Sequence, residues 1–237
     1  MDGKLRLRFG KNGKAKYISH LDLMATMRRA LLRSGIELSY SEGFNPHPYM
    51  SVALPLPVGC GSICELMDFG VRNEMPLLSL EGLPVLLSSA LPDGIDVYEV
   101  YGSSDKFNKI AWIEVEGVLY FDNGKPKEIV DALTERYAME SIVIAKRSKR
   151  GVSDVDIAPH ICQISFADCD EEGCGEGGCG GNSSGAVKIN AKVSAQNPTI
   201  NTENLISALE GDYSRLMPDF ALFTRKEVYD AQMKVFR

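Results

Sequence analysis

The chain has 237 residues, of which 44% are hydrophobic, so it can form one large domain or two small ones. No apolar run approaches the roughly 18 residues of a membrane helix, and the segment 1–14 lacks the apolar region of a secretory signal. We therefore expect a cytoplasmic protein with reduced thiols and no membrane partner.

The charge is distributed unevenly along the chain. The net charge is −6, yet residues 1–50 carry +5 and the remaining 187 residues carry −11. This asymmetry indicates a local anionic partner such as nucleic acid. The alternative is a solvated basic face on an acidic protein.

The first half of the chain alternates between strand and helix patterns. Residues 4–9 place Leu5, Leu7 and Phe9 on one face and basic residues on the other, which is typical of a half-buried strand. A helix is predicted at 20–34, ended by Gly35. The pattern then predicts strands at 36–40, 50–54 and 63–71, a helix at 76–90 and a strand at 95–101.

The second half repeats this order after a polar link at 102–108. Strands are predicted at 110–121, 141–145, 160–166, 187–195 and 221–228, and helices at 126–138 and 202–209. Pro126 suits the first turn of its helix, and Thr202 is the predicted N-cap of the last one.

Both halves read β-α-β-β-α-β, which is the ferredoxin-like order. We therefore predict an α+β protein of two tandem ferredoxin-like domains with antiparallel sheets, at residues 1–104 and 105–237. The segment 168–185 is rich in Gly and Cys and is predicted to be a loop insert at a hairpin tip.

The predicted helix at 20–34 has a capped start and a basic side. Ser19 is the expected N-cap, with Asp22 at the third helical position. Arg29 and Arg33 are four residues apart and point the same way, which suits contact with phosphate. The remaining predicted anion-binding or nucleic-acid-binding residues of this basic segment are Arg6, Arg8, Lys16 and Arg28. The alternative is that nearby acids neutralise these side chains.

The segment 41–48, Ser-Glu-Gly-Phe-Asn-Pro-His-Pro, is a rigid turn. Gly43 permits a positive φ, and the two prolines fix the backbone. Such a loop can hold Phe44 for stacking on a base, with Asn45 and His47 as hydrogen-bonding groups. The alternative is a structural turn whose Phe44 packs into the core.

Two histidines are candidate catalytic residues. His20 lies in the first turn of the helix, and His47 lies in the rigid loop. As neutral imidazoles they would be candidate general bases. No serine, cysteine or acid partner can be recognised by spacing, so the alternative is a structural role for both rings.

The six cysteines do not have the spacing of a structural zinc site, because no C-x2-C pair is present. We therefore predict no metal and no cofactor, although the sequence leaves open whether Cys169, Cys174 and Cys179 bind a metal ion.

The string YISHLDLMATMRRALLRSGIELSYSEGFNPHPYMSVALPLPVGCGS, together with DIAPHI at 156–161 and LFTR at 222–225, resembles the radical SAM-linked (radical SAM-associated) proteins. This is a bacterial family with a domain of unknown function. The resemblance implies a partner, a radical SAM protein with a B12-binding-like region. The chain lacks the C-x3-C-x2-C iron–sulfur signature, so it is not expected to generate the radical itself.

These observations predict an accessory protein that binds RNA or presents a substrate to a radical SAM enzyme, in RNA modification or processing. One alternative is a metal-independent ribonuclease or RNA-modifying enzyme that uses His20 or His47. It has a fold-level analogy in the repeat-processing endoribonucleases of CRISPR systems. The other alternative is a protein–protein adaptor for the radical SAM partner.

Overall fold

A computed structural model of the chain describes residues 3–72, 80–103, 105–148, 151–169 and 185–237. The strands are β1 (Gly3–Lys11), β2 (Met50–Val52), β3 (Gly61–Val71), β4 (Ile95–Gly102), β5 (Trp112–Phe121), β6 (Val143–Ser148), β7 (Gly151–Asp156), β8 (Ile161–Asp168), β9 (Gly185–Ser194) and β10 (Phe220–Tyr229). The helices are α1 (His20–Arg33), α2 (Leu83–Ser89), α3 (Pro126–Tyr137) and α4 (Thr202–Ser207). Short 3₁₀ turns lie at Gly13–Tyr17, Phe107–Lys109, Ala158–His160 and Gly211–Leu216.

The chain divides into two compact units. Unit 1 contains Met1–Lys109 together with Val235–Arg237, and unit 2 contains Ile110–Lys234. The last three residues therefore belong to the same unit as the first half of the chain.

Unit 1 contains four strands in the order β4-β1-β3-β2, and each neighbouring pair is antiparallel. Because side chains alternate along a strand, Leu7 and Phe9 of β1 lie on one face and Arg6 and Arg8 on the other. The apolar face packs against α1 and α2 in one buried core. Its members include Leu23, Met27 and Leu31 of α1 and Leu83 and Leu87 of α2.

Unit 2 contains strands in the order β10-β5-β9-β8, and its strand pairs are also antiparallel. The remaining strands, β6 and β7, form a separate two-stranded hairpin. Alternate residues of β5, beginning with Ile113, are buried. The two units together confirm the prediction of a mixed α and β protein with antiparallel strands.

The start and end of α1 follow the sequence signals. The Ser19 hydroxyl accepts a hydrogen bond from the Asp22 backbone N–H at 3.1 Å and donates one to the Asp22 carboxylate at 2.7 Å. Gly35 follows the helix with a φ of +76°, a conformation that favours glycine. The predicted cap and stop are confirmed.

The structure differs from the sequence predictions in four places. Residues 36–40 form no strand, because only the isolated bridges Leu38–Val71 and Tyr40–Pro48 join them to neighbours. The helix predicted at 76–90 is described only as α2, since residues 73–79 lie outside the described residues. The N-cap of α4 is Asn201 rather than Thr202, because Asn201 and Asn204 cap each other's backbone N–H groups.

The fourth difference is the hairpin partner β7, which the sequence did not predict. Its first four residues are exposed, so no alternation of apolar and polar residues marks it. The predicted Gly- and Cys-rich insert at 168–185 falls mainly on residues 170–184, which lie outside the described residues.

Candidate nucleotide-binding site

The 41–48 loop of unit 1 is closed at its base by paired backbone and side-chain bonds. The Ser41 N–H donates to the His47 carbonyl at 2.9 Å, and the His47 N–H donates to the Ser41 hydroxyl at 3.1 Å. Gly43 has a φ of +116°, which permits the tight turn at the tip. Phe44 at that tip is fully exposed, so it does not plug the core.

The ring of His47 has a fixed direction. Its Nδ1 lies 3.0 Å from the Ser41 hydroxyl oxygen and 3.4 Å from the Asn45 carbonyl oxygen. Within the described part of the chain, Nε2 makes no hydrogen bond, so this nitrogen is available to a ligand. The 41–48 loop therefore presents an aromatic ring and an oriented imidazole.

A cavity of about 550 Å³ lies beside the edge strand β2. We call it the β2 cavity, and it is formed by the start of β1, the segment 47–51, residues 68–70 of β3 and residues 106–107. Its polar side chains are Lys4, Ser39, His47, Tyr49, Ser51, Asp68 and Lys106. Its size falls within the range of about 300–1,000 Å³ that is usual for small-molecule sites.

The backbone around the β2 cavity is tightly packed. Tyr49 donates its N–H to the Ser39 carbonyl at 3.0 Å, and its own carbonyl accepts from the Gly70 N–H at 2.9 Å. A Cβ atom on Gly70 would lie 2.0 Å from the Ser39 hydroxyl oxygen. Any larger residue at position 70 would therefore force the Ser39 hydroxyl to move, and the two backbone hydrogen bonds fix the main chain that carries the Tyr49 side chain.

An ion cluster lies at the floor of the β2 cavity. Asp68 accepts hydrogen bonds from Arg6 Nε at 2.6 Å and Arg6 Nη2 at 3.1 Å, and its second oxygen lies 2.7 Å from Lys4 Nζ. The Arg6 side chain is 0% exposed, whereas that of Lys4 is 49% exposed. The Arg6 guanidinium carbon also lies 4.4 Å from the centre of the Phe107 ring and 5.1 Å from that of Phe236.

Arg6 therefore differs from the exposed phosphate-binding residue that the sequence predicted. The polar face of β1 is covered by residues 105–107 and Phe236, which the alternation of β1 alone does not reveal. Arg6 also donates to the Asp105 carbonyl at 2.5 Å. It holds Asp68 and Phe107 in the wall of the β2 cavity instead of meeting solvent.

Arg8 and Lys16 are half-buried and already have partners in unit 1. Arg8 pairs with Glu99 at 2.8 Å and lies over the Tyr98 ring at 4.9 Å. Lys16 lies over the Tyr17 ring at 5.2 Å. The Glu99 carboxylate offsets the charge of Arg8, whereas the neutral Tyr17 ring leaves the charge of Lys16 uncompensated.

The basic side of α1, which we define as Arg28, Arg29 and Arg33, is exposed. Arg33 donates to the carbonyl of Ala90, which follows α2. Within the described residues, the side chains of Arg28 and Arg29 make no ion pair or hydrogen bond, so the alternative, neutralisation by nearby acids, is not seen there for these two residues. These two guanidiniums are available to an anion.

His20, at the first position of α1, is exposed. Its ring makes no hydrogen bond or ion pair within the part of the chain that the structure describes, and no described contact joins it to His47. Among the described residues, no hydrogen bond therefore joins the two candidate catalytic rings as an acid–base pair.

Of the residues that line the β2 cavity, sequence reasoning singled out only His47 as a site residue, and it missed among others the charged and aromatic residues Lys4, Tyr49, Asp68, Lys106 and Phe107. One signal was present for Asp68, which with Glu65 is one of two acids inside the otherwise largely apolar segment 63–71. Lys106 and Phe107 lie in the predicted polar link at 102–108. The sequence of that link contains no signal that it forms part of the wall of a cavity.

Among the described residues, no group of three or more His, Cys, Asp or Glu side chains is placed to hold a metal ion. Cys174 and Cys179 lie outside those residues, so the question of metal binding with Cys169 stays open. In the described ranges, none of the helices is long and apolar enough to cross a membrane.

No curated protein matches the chain. A family model described as "Uncharacterized protein conserved in bacteria" (DUF2344) matches residues 4–201. The matched range includes α1, the 41–48 loop and every residue that lines the β2 cavity except Gly3. Because the match spans well over half of the 237 residues, the chain belongs to the bacterial family DUF2344.

Proposed function

We propose that this protein is a non-catalytic RNA-binding partner of a radical SAM enzyme and presents RNA to that enzyme for modification or processing. The observation that carries the proposal is the full exposure of Phe44 on a loop that Ser41 and His47 close. A rigid aromatic ring in solvent suits stacking on an unpaired base, because every base has a flat face.

Charge supports the same proposal. Arg28 and Arg29 lie on the helix that precedes the 41–48 loop, and neither has a partner among the described residues. Arginine suits phosphate contact because its planar guanidinium donates two parallel hydrogen bonds. An RNA strand would thus meet cations on α1 and an aromatic platform on the loop.

We also propose that each unit has the ferredoxin-like arrangement. The order β4-β1-β3-β2 in unit 1, with α1 and α2 on one face, supports this for the first half of the chain. The order β10-β5-β9-β8 supports it for the second half, with the β6–β7 hairpin as an addition.

RNA binding is tested by fluorescence anisotropy with a labelled single-stranded oligoribonucleotide at several salt concentrations. Phe44→Ala should weaken binding by about 5- to 150-fold, which corresponds to the usual 1–3 kcal/mol for base stacking on an aromatic side chain. Because Phe44 is fully exposed, the substitution should leave the stability of unit 1 unchanged.

Charge reversal tests the basic side of α1. Arg29→Glu should weaken binding and reduce the slope of log K against log salt by about 0.7 for the lost phosphate contact. Lys127→Glu is the matched control, since Lys127 is also exposed on a helix but lies in unit 2. Equal losses in both variants, or no salt-dependent RNA binding at all, would refute the proposal.

The radical SAM partner is proposed from the sequence resemblance. It is tested by titrating the chain with a purified radical SAM protein that has a B12-binding-like region, with and without RNA. Binding that RNA strengthens is the expected result. Binding that RNA does not change, combined with no RNA affinity of the chain alone, would favour the adaptor alternative.

One observation favours the enzymatic alternative. The His47 ring lines the β2 cavity, and Ser41 holds its Nδ1 so that Nε2 is available for proton transfer. RNA processing by the isolated chain that is lost in the His20→Ala/His47→Ala variant would support an enzyme. Processing that persists in this variant would exclude these histidines as its catalysts.

A further inference from the structure

We infer that the β2 cavity binds one unstacked nucleotide of the RNA, which makes it the place where a single base is held apart from its neighbours. This inference deepens the proposed RNA-binding function and rests on it.

The size and wall of the β2 cavity suit a nucleotide. A volume of about 550 Å³ accommodates a ligand of that class, and the wall is mainly apolar with a few polar groups. Tyr49 and Phe107 both line it. Aromatic side chains in such a position are the usual surfaces on which an unpaired base stacks.

The Tyr49 platform is held in place before any ligand binds. Its backbone is bonded on one side to Ser39 and on the other to Gly70, while its side chain is 55% exposed. Because these bonds already fix the main chain, no backbone has to be ordered when a base stacks on the Tyr49 ring. The exposure of Tyr49 is therefore consistent with a binding surface and not with a core residue.

The charge of the β2 cavity favours an anion. The single described carboxylate in its wall, Asp68, is already bonded to Arg6 and Lys4. Lys106 adds a further cation that is exposed and has no partner among the described residues. The cations thus exceed the one carboxylate, and a phosphate group would compensate the excess.

The polar atoms supply the remaining contacts. His47 and Ser51 lie in the wall, and Nε2 of His47 and the hydroxyl of Ser51, which is an exposed residue, are the groups that would hydrogen-bond a base edge or a ribose. A site that combines an aromatic platform, an excess of cations and a few hydrogen-bonding groups matches a nucleotide better than it matches an apolar ligand or a free phosphate.

The test is a titration of the full chain with the four nucleoside 5′-monophosphates, the corresponding nucleosides and inorganic phosphate, followed by amide chemical shifts. The expected result is that at least one monophosphate shifts the amides of β2 and of residues 68–70 and binds more tightly than its nucleoside or phosphate. Absence of such shifts up to about 10 mM nucleotide, which would detect even millimolar affinity, overturns the inference.

Two variants separate the parts of the site. Tyr49→Ala should weaken both the monophosphate and the nucleoside about tenfold or more, because the stacking platform is lost. Lys106→Ala should weaken the monophosphate and leave the nucleoside unchanged. Lys14→Ala is the matched control, since Lys14 is exposed in unit 1 but does not line the cavity. Inorganic phosphate that binds as tightly as every monophosphate would overturn the inference.

The outcomes also separate this inference from the proposed function. An oligoribonucleotide that binds in a Phe44-dependent way while Tyr49→Ala has no effect would leave the RNA-binding function intact and overturn the β2 cavity as its nucleotide site. Monophosphates that bind at β2 while oligoribonucleotides do not bind would refute the RNA-binding function and support the cavity as a nucleotide site.

Discussion

Replacing the buried carboxylate of Asp68 by an amide should destabilise unit 1 strongly. Asp68→Asn keeps the side-chain volume, so no cavity is created, but it leaves the Arg6 cation without a counter-charge. Arg6 is 0% exposed and the Asp68 side chain is 8% exposed, so solvent cannot replace the lost partner. Breaking a buried pair in this way costs about 3–5 kcal/mol, and the amide oxygen that still accepts a hydrogen bond favours the lower end of that range.

The other substitutions of the cluster should cost less. Arg6→Met removes the buried cation and leaves Asp68 paired with Lys4, so we expect a loss of about 1–3 kcal/mol from the missing charged hydrogen bonds. Lys4→Met should cost less than about 1 kcal/mol, because the Lys4 side chain is 49% exposed and solvent screens its pair. The double variant Arg6→Met/Asp68→Asn should be more stable than Asp68→Asn alone, because the unpaired cation is gone.

The assay is hydrogen exchange of peptides from β1 and β3, with peptides from β5 and β9 of unit 2 as the internal reference. This choice follows from the chain itself: its single tryptophan is Trp112 in β5, so fluorescence reports on unit 2 and not on unit 1. A loss of about 3 kcal/mol corresponds to a roughly hundredfold loss of protection in β1 and β3.

Two results would refute this reasoning. One is a change of protection below about tenfold in Asp68→Asn, which would mean that the pair contributes little. The other is a double variant whose loss equals the sum of the two single losses, since residues that interact directly should show a coupling energy.

Three further changes test the local structure. Ser19→Ala should destabilise α1 by about 1 kcal/mol through loss of its N-cap, measured by exchange of the first-turn amides and compared with an exposed serine elsewhere. Gly70→Ala should destabilise unit 1 by more than about 1 kcal/mol, as measured by urea unfolding monitored through hydrogen exchange. Adding Ser39→Ala should recover part of this loss, because the new Cβ clashes with the Ser39 hydroxyl. Hydrogen bonds from the backbone N–H of Ile142 and of Ala158 lower the pKa of Asp156 from 3.8. Its stabilisation of the β6–β7 hairpin is therefore present above pH 3.8 and is lost as the pH falls through the lowered pKa, so Asp156→Asn should remove this acid dependence from exchange of that hairpin.

Local sequence signals predicted α1 well because a specific residue marks its start and another marks its end. Ser19 caps the start, Gly35 adopts the positive φ beyond the end, and the spacing of Leu23, Met27 and Leu31 marks the buried side. The same reasoning failed for β7, because a strand exposed on both faces carries no period of two.

The candidate site was only partly predictable for a different reason. Glycine and proline in the 41–48 loop predict a rigid turn from local sequence alone. That such a turn would hold the His47 side chain in one direction could therefore be predicted from the neighbouring residues. The burial of Arg6 could not be predicted in this way. The alternation of residues along β1 assigns them to two faces of the strand, but it does not show that other parts of the chain cover the face that carries Arg6. The cover comes from Phe107 and Phe236, about 100 and 230 residues further along the chain.

The return of the chain to unit 1 at Val235–Arg237 has a consequence for synthesis on the ribosome. Phe236 contacts the Arg6 guanidinium, yet it emerges only after all of unit 2 has been made. Unit 1 can thus assemble its strands early but cannot complete the environment of its buried cation until all of unit 2 has been synthesised. A nascent chain halted before residue 235 should hold unit 1 in a less protected form than one halted after Phe236 has left the ribosome, so the docking of Phe236 would be a late step in the folding of unit 1.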